Sequence, residues 1–328
     1  MKAFTQDRYG PPDVLKLTRI AAPAPGRGEV LVRVRATSVQ PYDWHHMRGE
    51  PRIARVMPGS LGLRRPKPPV LGADVAGQVE QVGEGVTRFR PGDEVFALLT
   101  GGGFAEYVCA REDDLAPKPP SLSFEQAAAV PLAAVTALLA LRDQGRVRPG
   151  HGVLVNGASG GVGTFAVQIA RALGARVTGV CGARNADLVR SLGAAEVVDY
   201  AAEDFTRSGR RHDLLVDIAG TRSAAACRRA LTPKGTCVVV GGPAGRWLQP
   251  AGHAFAALLL SPLVSQRMVM ADVVRCTRNR QNLVTLTALI EDGEITPVID
   301  RGYAFEDIPE ALRYQEKGHS AGKVVVTV

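Results

Sequence analysis

Three glycines at Gly157, Gly160 and Gly163 fall in the segment NGASGGVG, where an apolar run from Val153 to Val155 stops and an amphipathic pattern begins. Strand, tight glycine turn and helix start is the order that suits a dinucleotide. Small residues let the backbone approach a pyrophosphate, and the unpaired N–H groups and positive dipole end of the helix face its charge. Gly157 makes the turn, and Gly160, Gly161 and Val162 offer N–H groups beside Ser159. Gly163 allows close packing of helix on sheet.

The second strand of such a unit ends about 20 residues after the first glycine, where an acid would grip the ribose hydroxyls of NAD. This chain has Val180, Cys181, Gly182, Ala183 and Arg184 there, with no carboxylate. Arg184 pairs with a 2′-phosphate, so the expected cofactor is NADP(H); the alternative for Arg184 is a solvated loop residue.

The elements that must position this turn are legible in outline. Residues 1–124 are β-rich: VLVRVR (Val30–Arg35) and VAGQVEQV (Val75–Val82) alternate with period two, between turn clusters such as PAPGRGE and RPGDEV. From Ser123 a long apolar helical pattern runs, capped at Ser123 and kinked at Pro131. Strands then alternate with helices: strands at Gly152–Asn156, Arg176–Cys181, Glu196–Asp199, Leu214–Asp217 and Thr236–Val240, helices at Val162–Leu173, Asn185–Ser191 and Ser223–Ala230. That alternation predicts a doubly wound parallel sheet. A helix over Asn282–Glu291 follows, and the final strand, Val324–Val328, fits either sheet on pattern alone.

The 328 residues, 45% of them hydrophobic, suffice for two domains. The longest nearly apolar run, Ala254–Val264, falls short of the roughly 20 residues that span a bilayer, so no membrane partner is expected. Met1–Gly10 has no apolar signal core, which points to the cytoplasm. Five scattered cysteines suggest neither a zinc knuckle nor disulfides. The net charge of +8 is dispersed except at Arg52–Lys67, among prolines and glycines, so nucleic acid is not an expected partner.

Six segments together resemble the zinc-free, quinone-oxidoreductase-like branch of the medium-chain dehydrogenase/reductase superfamily. They are MKAFTQDRYGPPDVL, SVQPYDWHHMRG (Ser38–Gly49), LGADVAGQVEQVGEGV (Leu71–Val86), FRPGDEVF (Phe89–Phe96), NGASGGVG and the terminal GKVVV. The resemblance implies an α/β protein: a GroES-like β-rich catalytic domain from residues 1–124 and 267–328, and a Rossmann domain over 125–266, with the active site between them. It further implies that Tyr200 and Arg184 flank the adenosine 2′-phosphate, that Thr136, Ala219, Gly241 and Lys323 contact the cofactor, and that the protein is a homodimer.

Departures from the zinc-dependent relatives bear on mechanism. Those relatives carry a cysteine before the region of Tyr42 and Asp43 and a His-Glu pair in place of Ala73 and Asp74; here both are absent, as is the cysteine-rich zinc lobe. Without a Lewis acid an unactivated ketone is a poor substrate, whereas conjugation in a quinone or enone spreads the charge that hydride leaves. His45 and His46, read as neighbours in a strand, would point to opposite faces and not share one ion with Asp43. The expected site is therefore metal-free.

By alignment His45 faces the substrate and donates a hydrogen bond or proton, with Tyr42 the second candidate; a packed histidine with no catalytic part is the alternative. Relatives usually have asparagine at Gln40, so a longer amide holds the substrate oxygen differently. Tyr42 and Trp44 are expected in the pocket wall, with core packing the alternative for Trp44, and Asp43 is expected to anchor the backbone. The expected activity is NADPH-dependent, zinc-independent hydride transfer to a small-molecule quinone or α,β-unsaturated carbonyl compound. Two alternatives are a pathway-specific carbonyl or enone reductase of secondary metabolism and a low-turnover NADPH-binding regulatory or RNA-binding protein.

Overall fold

Alternation in the first third becomes a sheet. The structure, a computed structural model, describes residues 1–55, 61–64, 66–67, 69–242, 264–271 and 279–328; residues 254–263 of the apolar run and Cys276 lie outside the described residues. Strands β1 (Lys2–Thr5) and β2 (Lys16–Arg19) pair antiparallel. The long β3 (Glu29–Val39) turns Arg33 and Arg35 to solvent. It sends Val30, Val32 and Val34 into a core shared with Val75, Val79, Val95 and Leu115. Helix α1 (Pro41–Arg48) follows, then β4 (Asp74–Val82), β5 (Glu94–Leu98), β6 (Tyr107–Arg111) and β7 (Leu115–Pro117).

Proline divides the apolar helical stretch more sharply than a kink. Ser123 caps α2 (Phe124–Ala128): its hydroxyl accepts from the Gln126 N–H at 3.2 Å while Gln126 Oε1 accepts from the Ser123 N–H at 2.9 Å. A separate α3 (Pro131–Leu138) starts at Pro131, whose missing N–H is tolerated only in a first turn. The helical path continues through a wider turn over Leu139–Gln144.

The cofactor-type unit follows the predicted order through β8 (Gly152–Asn156), α4 (Gly161–Ala172), β9 (Arg176–Cys181), α5 (Ala186–Ser191), β10 (Glu196–Asp199), β11 (His212–Asp217), α6 (Ala224–Cys227) and β12 (Leu231–Val239), and adds a strand the pattern did not mark, β13 (Arg267–Met270). All six strands run parallel in the order β10-β9-β8-β11-β12-β13. Leu154, Val180, Leu215, Cys237 and Met268 fill one apolar layer beside it.

Last come β14 (Ile299–Ala304) and β15 (Lys323–Thr327). The terminal strand, ambiguous on pattern, enters the first sheet between β14 and β3. The chain thus forms two units, one of Met1–Val135, Cys276–Gly293 and Pro297–Val328, the other of Thr136–Arg275 and Glu294–Thr296. Among the described residues no helix is long and apolar enough to cross a membrane. The mixed α/β class, with one GroES-like and one Rossmann-type sheet, is the class expected.

Candidate functional site

In the Rossmann unit the glycine turn has the geometry its composition promises. Gly157 adopts φ +92°, a left-handed conformation that side chains disfavour. A Cβ at Gly163 would stand 2.0 Å from the Gly157 carbonyl oxygen. The close approach that requires glycine there is therefore within the turn itself, tighter than a helix-on-sheet contact. A Cβ at Gly160 would meet nothing nearer than 3.6 Å, so no protein atom demands glycine there. The space it leaves lies before α4, whose first-turn N–H groups, on Gly161, Val162 and Gly163, have no acceptor within the helix. These features fit a dinucleotide pyrophosphate.

The other residues expected in this unit are placed as follows by their contacts. Asn185 Nδ2 donates to Ser159 Oγ at 3.1 Å, tying the turn to the start of α5. The Ala219 N–H donates to the Asn156 carbonyl at 3.2 Å, and the Gly241 N–H to the Asp217 carbonyl at 3.3 Å. Cys181 is buried at the end of β9, and burial raises its thiol pKa. Beyond it a Cβ at Gly182 would lie 3.2 Å from the Tyr200 hydroxyl, and Tyr200 is 58% exposed. Arg184 is exposed two residues on. Asp199 pairs in register with Cys181, but its Oδ1 is turned into the Ala201 N–H at 3.0 Å. Thr136 is buried in α3.

In the GroES-like unit the strand assumed for His45 and His46 is a helix. Extended Gln40 is the N-cap of α1, Pro41 occupies its first turn, and Asp43 reaches back, Oδ2 accepting the Gln40 N–H at 3.1 Å. Gly49, at φ 62°, ends it. The start and stop signals are present in QPYD and in Gly49, and they make this segment a helix rather than the strand assumed for the two histidines. The two histidines are nonetheless committed separately. His45 Nδ1 meets the Glu50 carbonyl at 2.9 Å and His46 Nδ1 the Tyr42 carbonyl at 2.8 Å.

A carbonyl only accepts, so Nδ1 carries the hydrogen in each neutral ring and Nε2 is left an acceptor. Burial lowers the His45 pKa to about 4, and lowers that of His46 as well. At neutral pH, then, His45 is not an acid. Trp44 stacks on His45 at 3.7 Å between centroids and packs against a core that includes Phe4, Met47 and Leu312. Burial, followed by the Asp43 charge, pushes the Tyr42 phenol up to about 12; its hydroxyl lies 3.5 Å from the Thr100 carbonyl.

Strand register builds the most concentrated chemistry of this unit. Ser38 on β3 pairs with Asp74 on β4, and Val39 pairs with Val324 on β15. That places Lys323, Asp74 and Gln40 together in full burial. Lys323 Nζ donates to Asp74 Oδ2 at 3.1 Å and to Gln40 Oε1 at 2.6 Å. Asp74 also accepts from the Ser38 hydroxyl at 2.6 Å and, through Oδ1, from the Leu132 N–H that opens α3 at 2.8 Å. The contact of Lys323 with the cofactor that the resemblance implies is compatible with this pairing, and no local pattern joins residues 249 positions apart to foretell the role of Asp74.

Asp43 borders this group with its Oδ1 unpartnered, and burial, then the Asp74 charge, raises its pKa to about 8. Below about pH 8, then, the proton of this group is kept on Asp43. Among the described residues no three His, Cys, Asp or Glu side chains group to hold a metal ion.

A glycine-cradled Rossmann unit joined to a GroES-like unit defines an oxidoreductase that uses a nicotinamide cofactor, and known proteins agree. The model of the alcohol dehydrogenase GroES-like domain matches residues 26–120, and that of the zinc-binding dehydrogenase matches residues 192–326. The chain is 31% identical over 339 residues to the chloroplastic quinone oxidoreductase QR1 of Triphysaria versicolor, spanning 99% of this chain and 98% of that one. It is 32% identical over 340 residues to 2-methylene-furan-3-one reductase of Solanum lycopersicum, spanning 99% and 79%. The crystal structure of Escherichia coli quinone oxidoreductase complexed with NADPH has a TM-score of 0.85 at 25% identity, covering 100% of both chains. The chain belongs to the quinone-oxidoreductase-like branch of the medium-chain dehydrogenase/reductase superfamily.

Proposed function

We propose that the protein is an NADPH-dependent, zinc-independent reductase of quinones or α,β-unsaturated carbonyl compounds. The observation that carries the reading is the buried group at α1: Asp74, where zinc-dependent relatives have the acid of a His-Glu pair, is saturated by Lys323, Ser38 and the Leu132 N–H. With its oxygens so committed it is a poor metal ligand, and an ammonium supplies the local positive charge. The names of two relatives, a quinone oxidoreductase and a reductase of a methylene-furanone, support a conjugated acceptor. For NADPH over NADH, support comes from the missing acid at Val180–Arg184, from Arg184 and Tyr200 beside Gly182, and from the NADPH bound by the Escherichia coli neighbour.

When bound, the nicotinamide supplies a hydride. The residues of this chain do the rest. The turn at Gly157–Gly163, with Ser159, and the backbone at Ala219 and Gly241 would hold the phosphates and ribose, and Arg184 would hold the 2′-phosphate beside Tyr200. Gln40 would present a hydrogen-bond donor to the substrate oxygen, and so would Tyr42 by turning its hydroxyl from the Thr100 carbonyl 3.5 Å away. Because His45 is neutral and its Nδ1–H is committed to the Glu50 carbonyl, water would deliver the final proton. Purified protein treated with a chelator should consume NADPH far faster than NADH when mixed with 1,4-naphthoquinone or an enone panel. Loss of the rate on chelation, or equal use of NADH, would refute the reading.

A further inference from the structure

We infer that Lys323 and Asp74 are positioning residues that fix the polarity of the Gln40 carboxamide, making Gln40 an obligate hydrogen-bond donor to an anionic or carbonyl substrate oxygen. The inference rests on the reductase reading above and deepens it at one atom.

An amide oxygen and nitrogen are ordinarily hard to tell apart by position alone. Here chemistry decides. An ammonium has only donors, so the Gln40 atom 2.6 Å from Lys323 Nζ must be the oxygen. Lys323 is itself held in place, because Asp74 takes a second of its N–H groups and is anchored by Ser38 and Leu132. The Gln40 backbone is fixed as well, since its N–H is bound by Asp43. The remaining end of the amide, Nε2, is therefore the donor end, and it has no hydrogen-bond partner although Gln40 is only 4% exposed. A buried donor left without a partner is costly, and a ligand oxygen placed against Nε2 would remove that cost.

The charge arrangement also selects the ligand. The ammonium draws electron density from the Gln40 oxygen, which polarises the Nε2–H bonds and strengthens them as donors. When an enone takes hydride at its β-carbon a C–H bond forms there, the alkene pair shifts, and the carbonyl π pair settles on oxygen as an enolate. A proton from water later adds at the α-carbon. Gln40 Nε2 is suited to that oxygen, binding it more strongly as charge develops than in the neutral carbonyl.

The experiment compares Gln40→Glu with the double variant Lys323→Met/Asp74→Asn. The first keeps size and the pairing to Lys323 but replaces the donor end with an acceptor. The second removes ammonium and carboxylate together, so no charge is left buried alone, and frees the amide to turn. With trans-cinnamaldehyde as substrate, kcat should fall about 100-fold or more in Gln40→Glu. In the double variant it should fall about tenfold, for a less fully fixed donor. NADPH affinity, read by fluorescence, should stay within about twofold in Gln40→Glu, which leaves the glycine turn and Lys323 in place.

The second readout needs no turnover: the infrared carbonyl band of ¹³C-labelled cinnamaldehyde bound with NADP⁺. It should lie lower in wild type than in either variant. Folded variants with wild-type kcat and an unshifted band would overturn the inference, as would absence of a bound band in wild type. A wild type that binds the aldehyde with the lowered band yet reduces no enone or quinone would instead sink the reductase reading alone.

Discussion

Asp43→Asn isolates the electrostatics of the buried group. Asp43 is fully buried, with its pKa raised from 3.8 to about 8 by desolvation and by the Asp74 charge. Between those values the unfolded chain has lost the Asp43 proton while the folded chain keeps it, so folding becomes less favourable as pH rises. The stability tied to Asp43 is thus fully present below about pH 4 and is lost up to about pH 8. One pH unit inside this window is worth about 1.4 kcal/mol for one proton. From pH 5 to pH 7 the wild type should therefore lose about 2.7 kcal/mol relative to the Asp43→Asn variant, whose amide is neutral throughout.

The substituted side chain offers an amide oxygen to the Gln40 N–H and an NH₂ where the carboxylic proton sits, so packing is preserved. His45, lowered to about 4, gives a slope of opposite sign, but it is common to both proteins and cancels in the comparison. Urea unfolding of wild type and Asp43→Asn at the two pH values provides the double difference. Parallel behaviour, with the difference constant to within about 0.5 kcal/mol, would refute the protonated Asp43.

Arg184→Ala should weaken NADPH binding about tenfold or more, the worth of one charge-assisted contact, and leave NADH binding unchanged; titration of cofactor fluorescence reads both. Gly163→Ala forces a methyl to 2.0 Å from the Gly157 carbonyl, so it should cost about 1–3 kcal/mol in thermal unfolding and weaken NADPH binding in parallel. Lys323→Met alone strands the Asp74 carboxylate and should destabilise by about 3–5 kcal/mol in denaturant titrations, most of it recovered when Asp74→Asn is added.

The Rossmann unit was legible because its information is local. Apolar runs end at turn residues, helices begin where glycines stop, and Gly152–Asn156, Arg176–Cys181 and Glu196–Asp199 are strands with the predicted bounds. Other features depend on long-range pairing, which periodicity does not carry. The strand of Lys323–Thr327 matched both sheets in composition, and its place beside β3 is fixed by register with residues nearly 290 positions earlier. The ammonium of Lys323 acquires its partners only through that register. Around Gln40 the signals were local but outweighed in reading: Pro41, Asp43 and Gly49 specify a helix, while attention to adjacent histidines suggested a strand. The separation of α2 from α3 was half visible, since Pro131 marked a break but not the Asp74 carboxylate that receives the new helix's first N–H group.

The proposed reductase passes hydride to the β-carbon of a conjugated acceptor without a metal. Metal-stripped protein incubated with NADPH deuterated at the transferring C4 position and with an enone tests it by NMR of the product. The expected product carries deuterium at the β-carbon and hydrogen from water at the α-carbon, in the same yield after chelation. Deuterium on the carbonyl carbon, giving an allylic alcohol, or a product that appears only when zinc is restored, would contradict it.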